Sequence, residues 1–365
     1  MSRIENVQSY INSIFDKISD DDEKRVAYIH TYGVAQECAL LAAKRGLNSE
    51  LATVIGLLHD VYSYKTGVRP LHSHNGAEMI RVAFKYDLTG LFLEDEQTII
   101  KSAIYHHTDK EHTHDNYDEL LKDCDVLQHY IYDAAYGNFN GLRLERVALE
   151  IGIDVPKTSQ SNGKKVKRFF NQRSVGDIAE KLASGSISGK RSNPEYMEII
   201  KYYPEQSAFN ELDHAWCAAF VYHCCIKAGL ALPLRTPHTA KEIADCRFAC
   251  VVAWYEWANR HGYCKYEKDG YIPQRGDIVL YNNIIPKENK PENSTWCDHI
   301  GVVLSCVAGC LSVAEGNVDN KNISGIINRK RDDSIGCYIR IPEDYEYDEW
   351  KTDFKTGNYR VDSFA

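Results

Sequence analysis

The feature that most constrains this chain is a change of hydrophobic period along its length. Through the first 150 residues, apolar side chains recur every three or four positions, as at Ile4, Val7, Ile11, Ile14 and Ile18. That spacing lines one face of a helix. RVAYIHTYGVAQECALLAAKRG continues the pattern and closes on Lys44, Arg45 and Gly46, a helix C-terminal signature. SELATVIGLLHDVYSY follows, with Ser49 as N-cap. HNGAEMIRVAF, EQTIIKSAIYHH and YDELLKDCDVLQHYIYDA extend it without any β-type alternation. The spacing therefore predicts an all-α domain over 1–150. From Pro156 to Arg191 large apolar residues thin out around the basic centre GKKVKR at 163–168, which predicts a polar, basic linker over 151–195. After Tyr196, two helical stretches (AAFVYHCCIKAGL and FACVVAWYEWANRHG) precede the short alternating segments GDIVLYN, HIGVVLSC, CLSVAEGN and GCYIRI. Helices followed by strands predict an α+β domain with an antiparallel sheet over 196–345, leaving a tail over 346–365. A chain of 365 residues is long enough for two such cores.

Composition excludes several classes. A net charge of −9 argues against a dedicated nucleic-acid binder. No run of about 18 apolar residues exists, so no membrane span is expected. The start, MSRIENVQSYINSIFDKISDDDEK, has acids and an amphipathic rhythm in place of a signal peptide, which points to a cytoplasmic protein. Ten of the twelve cysteines follow residue 200 and none forms a CxxC pair, a distribution that suits reduced thiols. Cys246, Cys250, His261 and Cys264 match no common structural zinc spacing and are expected to be core residues.

Nine of the fourteen histidines lie in the first 129 residues. Their order with carboxylates carries the chemistry: His30 on one helix, His59 and Asp60 adjacent on the next, then Asp125 in KDCDVLQHY. Imidazole nitrogen with carboxylate oxygen suits a divalent ion such as Mn, Fe, Co or Mg. Helices can aim such side chains inward from separate elements. YIHTYGVAQECALLAAKRG, LLHDVYSYK, AIYHH and LLKDCDVLQHY, in that order over residues 20–135, resemble the HD superfamily of metal-dependent phosphohydrolases. The resemblance implies His30, His59, Asp60 and Asp125 as ligands of a divalent ion, with Asp123 as the alternative to Asp125. It implies His74 and His106 as further ligands where a second ion is held, with His72 and His107 as neighbouring competitors. Lys65 follows the HD pair at a longer spacing than the family's usual HDxxK. The implied substrate is a small phosphoester or a nucleotide.

HAWCAAFV, residues 214–221, sets one cysteine at the start of a helix. An ordinary thiol is mostly protonated at neutral pH, so a nucleophile needs a base beside it. The helix beginning near Ala218 would aim its positive end at the Cys217 sulfur. His299, in CDHIGVV, begins a strand, and Glu315 and Asn317, in AEGN, follow the next one where they could orient an imidazole. WCAAFV, RGDIVLY at 275–281, DHIGVV at 298–303 and AEGN at 314–317 resemble the CHAP family of cysteine- and histidine-dependent amidohydrolases and peptidases, over residues 196–340. The resemblance implies Cys217 as nucleophile, His299 as general base and then acid, and Glu315 as the orienting residue. Asn317 stands second for that role or beside it. His223 is expected to face away from Cys217, and Asp277 to be structural.

Together the two resemblances imply a two-domain hydrolase, an all-α HD-type domain followed by an α+β papain-like domain. One centre would cleave phosphoesters. The other would cleave peptidoglycan-type, γ-glutamyl or peptide amides, in the cytoplasm or as a phage-type lysin released by other means. In the alternative, the helical domain is a nucleotide sensor without turnover that regulates the amidase.

Overall fold

The computed structural model describes residues 1–132, 141–155, 170–203, 212–235, 247–282, 284 and 297–347. The basic stretch 163–168, Cys246 and the tail beyond Tyr347 lie outside the described residues. Between Val166 and Lys167 the chain divides into two compact units.

The first unit is helical throughout its described length. Its elements are α1 (Arg3–Phe15), α2 (Asp21–Lys44), α3 (Ser49–Leu58), α4 (Val61–Thr66), α5 (His72–Tyr86), α6 (Glu94–His106), α7 (Asn116–Tyr132) and α8 (Gly141–Ile151). Ser2 and Glu5 form a capping box on α1, and Asp20 caps α2 by accepting from the Glu23 amide at 2.8 Å. Asn48, rather than Ser49, caps α3. The apolar stripe of α1 is buried at Val7, Ile11 and Ile14, and α3 is buried all round, the mark of a central helix. α2 and α3 touch backbone to backbone: a Cβ on Gly56 would lie 2.6 Å from the Ala35 Cα. That close approach brings the histidines of the two helices within reach of each other.

The second unit contains α9 (Gln172–Ser184), α10 (Pro194–Ile200), α11 (Cys217–Lys227) and α12 (Val251–Arg260). Its antiparallel sheet comprises β1 (Cys264–Lys265), β2 (Ile278–Tyr281), β3 (His299–Val307), β4 (Cys310–Glu315), β5 (Gly325–Lys330) and β6 (Ile335–Ile339), in the order β1-β6-β2-β3-β4-β5. Ile278–Tyr281 and His299–Leu304 are buried at every position, so both sheet faces are covered there. One face gathers Val279, Tyr281, Val303, Leu311, Val313 and Tyr338 into a core. Beyond β5, Arg331 clasps Glu267, which follows β1, at 2.7 Å, so the two edges of the sheet are drawn toward each other. α9 lies inside the stretch expected to be a polar linker. Its buried stripe is Val175, Ala179 and Ala183, small side chains that give little apolar signal in a sequence rich in Ser, Lys and Arg.

Candidate metal centre and candidate thiol site

Six helices contribute to the histidine cluster. His30 projects from α2, His59 caps α3, Asp60 precedes α4, His72 opens α5, His107 follows α6 and Asp125 lies within α7. His59 donates from Nδ1 to the Gly56 carbonyl at 2.8 Å, His72 to that of Arg69 at 2.6 Å and His107 to that of Ile104 at 2.6 Å. His30 Nδ1 lies 2.5 Å from Gln128 Oε1. A ring that donates from Nδ1 presents a lone pair at Nε2. These lone pairs converge: His30 Nε2 is 3.1 Å from His59 Nε2, and His72 Nε2 is 3.0 Å from His107 Nε2. Two lone pairs that close repel unless a proton or a metal cation lies between them. Burial favours the neutral ring and holds His30, His59 and His107 below the ordinary histidine range, so protons answer poorly there. Burial also opposes charge on His72, but Asp60 outweighs it and raises that ring.

Asp60 stands between the two pairs. Its Oδ2 is 3.8 Å from Nε2 of both His30 and His59, and its Oδ1 is 3.0 Å from His72 and 3.3 Å from His107. Asp125 Oδ1 is 3.5 Å from Nε2 of His30 and of His129, while Lys110 Nζ sits 2.6 Å from Oδ2. Burial alone would favour protonated carboxyls, yet the histidines around Asp60 and the Lys110 ammonium beside Asp125 hold both well below the usual range. Among the described residues, three groups bring their ligand atoms within 4.8 Å: His30–His59–Asp60, His30–Asp125–His129 and Asp60–His72–His107. Neutral nitrogens and ionised oxygens in this mixture fit a divalent ion. Asp60 belongs to two of these groups. A cavity of about 400 Å³ opens over the cluster, with Tyr64, Arg69 and Tyr132 in its walls.

In the second unit, Cys217 is the first residue of α11, and its N-cap, Trp216, supplies no capping side chain. The positive end of the helix is thus left facing the sulfur. The register Val302↔Ala314 carries Glu315 to the level of Gly301, where a Cβ would lie 2.8 Å from the Glu315 Cγ. The glycine leaves the space through which the glutamate side chain reaches His299. His299 Nε2 donates to Glu315 Oε2 at 2.8 Å, and its hydrogen bond with Cys217 then falls to Nδ1. Burial alone would depress the imidazole, but Cys217 on one side and Glu315 on the other raise it to about 10. Burial pushes the Glu315 carboxyl up, and hydrogen bonds from His299 and Arg329 bring it below its ordinary value. A buried imidazolium therefore stands beside the sulfur through neutral pH, ready to give a proton to a leaving group.

Residues 27–130 match the family model of the HD domain, and residues 209–317 that of the CHAP domain. The chain joins an HD domain to a CHAP domain. Both are hydrolase families, and the protein is a hydrolase. No curated protein and no solved structure gives a match.

Within the HD domain, four expected residues, His30, His59, Asp60 and Asp125, come together. Asp123 is committed elsewhere, with Arg143 and Arg146 each 2.7 Å from Oδ1 and Arg45 2.6 Å from Oδ2. His74 and His106 fall outside the three ligand groups. His74 packs edge-on against Tyr105 at 4.3 Å, and His106 Nδ1 lies 2.9 Å from Asp118 while its ring stacks on His114. Their neighbours His72 and His107 face Asp60 instead. Lys65 is exposed and does not line the cavity. Lys110 and Gln128 went unremarked in the sequence; Gln128, one helical turn from Asp125 on α7, is the more legible of the two.

Within the CHAP domain, Cys217, His299 and Glu315 come together, and Asn317 does not join them. Asn317 Nδ2 donates to the His214 carbonyl at 2.5 Å and its Oδ1 accepts from the Asn322 amide at 2.9 Å. It ties the turn ahead of Cys217 to the turn after β4. His223 points to the Tyr202 hydroxyl at 3.0 Å. Asp277 clasps its own turn, accepting from Tyr271, the Gln274 amide and Arg340.

Proposed function

We propose that this chain is a hydrolase with two centres. In the HD domain, His30, His59, Asp60 and Asp125 would hold one divalent ion, and Asp60, His72 and His107 a second. A bound divalent ion supplies Lewis acidity toward a water and a phosphoryl oxygen. The residues around it orient the substrate: Arg69 offers positive charge to an anionic phosphoester, and Tyr64 and Tyr132 offer aromatic faces to a base or ring. In the CHAP domain, Cys217 Sγ attacks an amide carbonyl carbon, and His299 passes its proton to the departing amine. Water then displaces the sulfur with His299 taking a proton, and the carboxylate product leaves. The two centres are proposed to occupy separately folding domains, with α9 part of the second.

The observation that carries the metal reading is the His30–His59 Nε2 contact with both Nδ1 positions already engaged. One observation favours a sensor in place of a catalyst: the Lys110 ammonium already neutralises Asp125. Incubation of the metal-loaded protein with a metabolite pool, read by mass spectrometry against Asp60→Ala and Cys217→Ala, tests both centres. Loss of a phosphoester in the wild type alone supports turnover. An amidase rate that responds to a nucleotide which is never consumed supports the sensor.

A further inference from the structure

β5 supplies nothing to the reaction described above, yet Arg329 on it reaches the proposed thiol site. Its Nε lies 3.0 Å from Glu315 Oε1 and its Nη2 2.7 Å from Oε2, a two-point grip on a carboxylate with no solvent exposure. The guanidinium lies 5.5 Å from the centre of the Tyr281 ring. The same ring lies 6.1 Å from the His299 imidazole and 25° from parallel to it. Asp319 Oδ1 holds Nη2 from the outside at 3.2 Å. Glu315, Tyr281 and Asp319 thus fix the guanidinium from three directions.

The grip matters because of what Glu315 must do. A buried carboxylate with a single partner tends to take up a proton or to rotate about its last bond. Either change would loosen the bond to His299 Nε2. A guanidinium fork engages both oxygens at once and fixes the carboxylate plane, which an ammonium cannot do. We infer that Arg329 is a positioning residue of the CHAP centre, keeping Glu315 ionised and its plane fixed so that His299 stays aimed at Cys217. This rests on the Cys217–His299–Glu315 reading given above.

The test needs no substrate. The rate at which iodoacetamide alkylates Cys217 is followed against pH in the full chain, by peptide mapping, for wild type, Arg329→Ala and Arg329→Lys. In the wild type, Cys217 should label ahead of the other thiols at pH 6. Arg329→Ala should label about tenfold more slowly there, the effect of one unit in a titration midpoint, with its pH profile displaced upward. Added guanidinium ion, at concentrations too low to unfold the protein, should restore the rate, and tetramethylammonium should not. Arg329→Lys, which keeps the charge and loses the fork, should recover only part. A folded Arg329→Ala with the wild-type profile overturns the inference. If that variant does not fold, a wild-type profile in Arg329→Lys overturns it. Absence of selective labelling in the wild type itself removes the thiol reading on which the inference rests, an outcome distinct from selective labelling that ignores Arg329.

Discussion

The Nε2 atoms of His30 and His59 face each other at 3.1 Å with both Nδ1 positions already engaged. Among the described residues, nothing at that contact relieves the opposition as well as a cation would. Reconstitution with Mn or Fe should therefore leave at least one ion per chain by elemental analysis. Asp60→Ala, which removes the oxygen donor common to two ligand groups, should abolish binding. His72→Ala and His107→Ala should each lower a two-ion content to one, while His74→Ala and His106→Ala leave it unchanged. Full metal content in Asp60→Ala would refute the assignment.

Asp123 and Asp125 are two residues apart and should differ in what their loss does to metal. Asp123→Asn leaves Arg45, Arg143 and Arg146 without their shared buried partner. Removing one side of a buried ion pair destabilises by about 3 kcal/mol. Denaturant titration should show that loss with metal content intact. Asp125→Asn, which strips Lys110 of its partner, should cost apo stability too but, unlike Asp123→Asn, should lose metal. The reverse pattern would exchange the two roles.

Glu37 predicts a pH effect in the helical unit. Its Oε2 is buried without a hydrogen-bond partner, and burial, with the Asp125 charge adding to it, raises the carboxyl to about 8. The folded state then keeps a proton that the unfolded state gives up near 4.5. Wild-type stability from this group is complete below that point and falls as pH rises through 8. Glu37→Gln, which mimics the protonated form and does not titrate, should match the wild type at pH 5. By pH 9 it should be more stable by on the order of 2 kcal/mol, allowing for partial relaxation of a shift worth about 1.4 kcal/mol per unit. Equal stabilities at pH 9 would count against the buried-acid account.

Cys217 should be the reactive thiol of the chain. Burial pushes Cys124, Cys224 and Cys225 above the ordinary thiol range, whereas Cys217 has an imidazolium beside it. Substoichiometric iodoacetamide at pH 6 should mark Cys217 first, and His299→Ala should erase that preference. Uniform labelling, or a preference that survives His299→Ala, would return Cys217 to the packed core.

Some of this was legible from local pattern. Helical periodicity requires only that apolar residues recur along one strip of chain, so the all-helical first unit could be read without coordinates. WCAAFV, DHIGVV and AEGN each name a residue type at the end of a helix or strand, and such ends are punctuated locally. What stayed hidden was orientation. His72 and His74 are two positions apart on α5, hence about 200° apart around its axis. The sequence offers both; only the packing of α5 decides that His72 meets Asp60 while His74 meets Tyr105. Asp123 and Asp125 on α7 are separated by the same rotation, and Arg45 at the end of α2 with the arginines of α8 take one of them while the histidines take the other.

The strand β5 shows the same limit from the sheet side. GIINRK alternates half-buried with exposed residues and ends in charges, so it carries too little apolar signal to stand out. Its arginine matters only because pairing with β4 sets it beside Glu315 and the curl of the sheet brings it over Tyr281 of β2, a strand far away in sequence. Residue types and element ends are properties of short stretches of chain, and the sequence by itself determined them. Which side chain faces which partner depends on the rotation of each helix and the register and curl of the sheet, and those are decided only when the whole core packs.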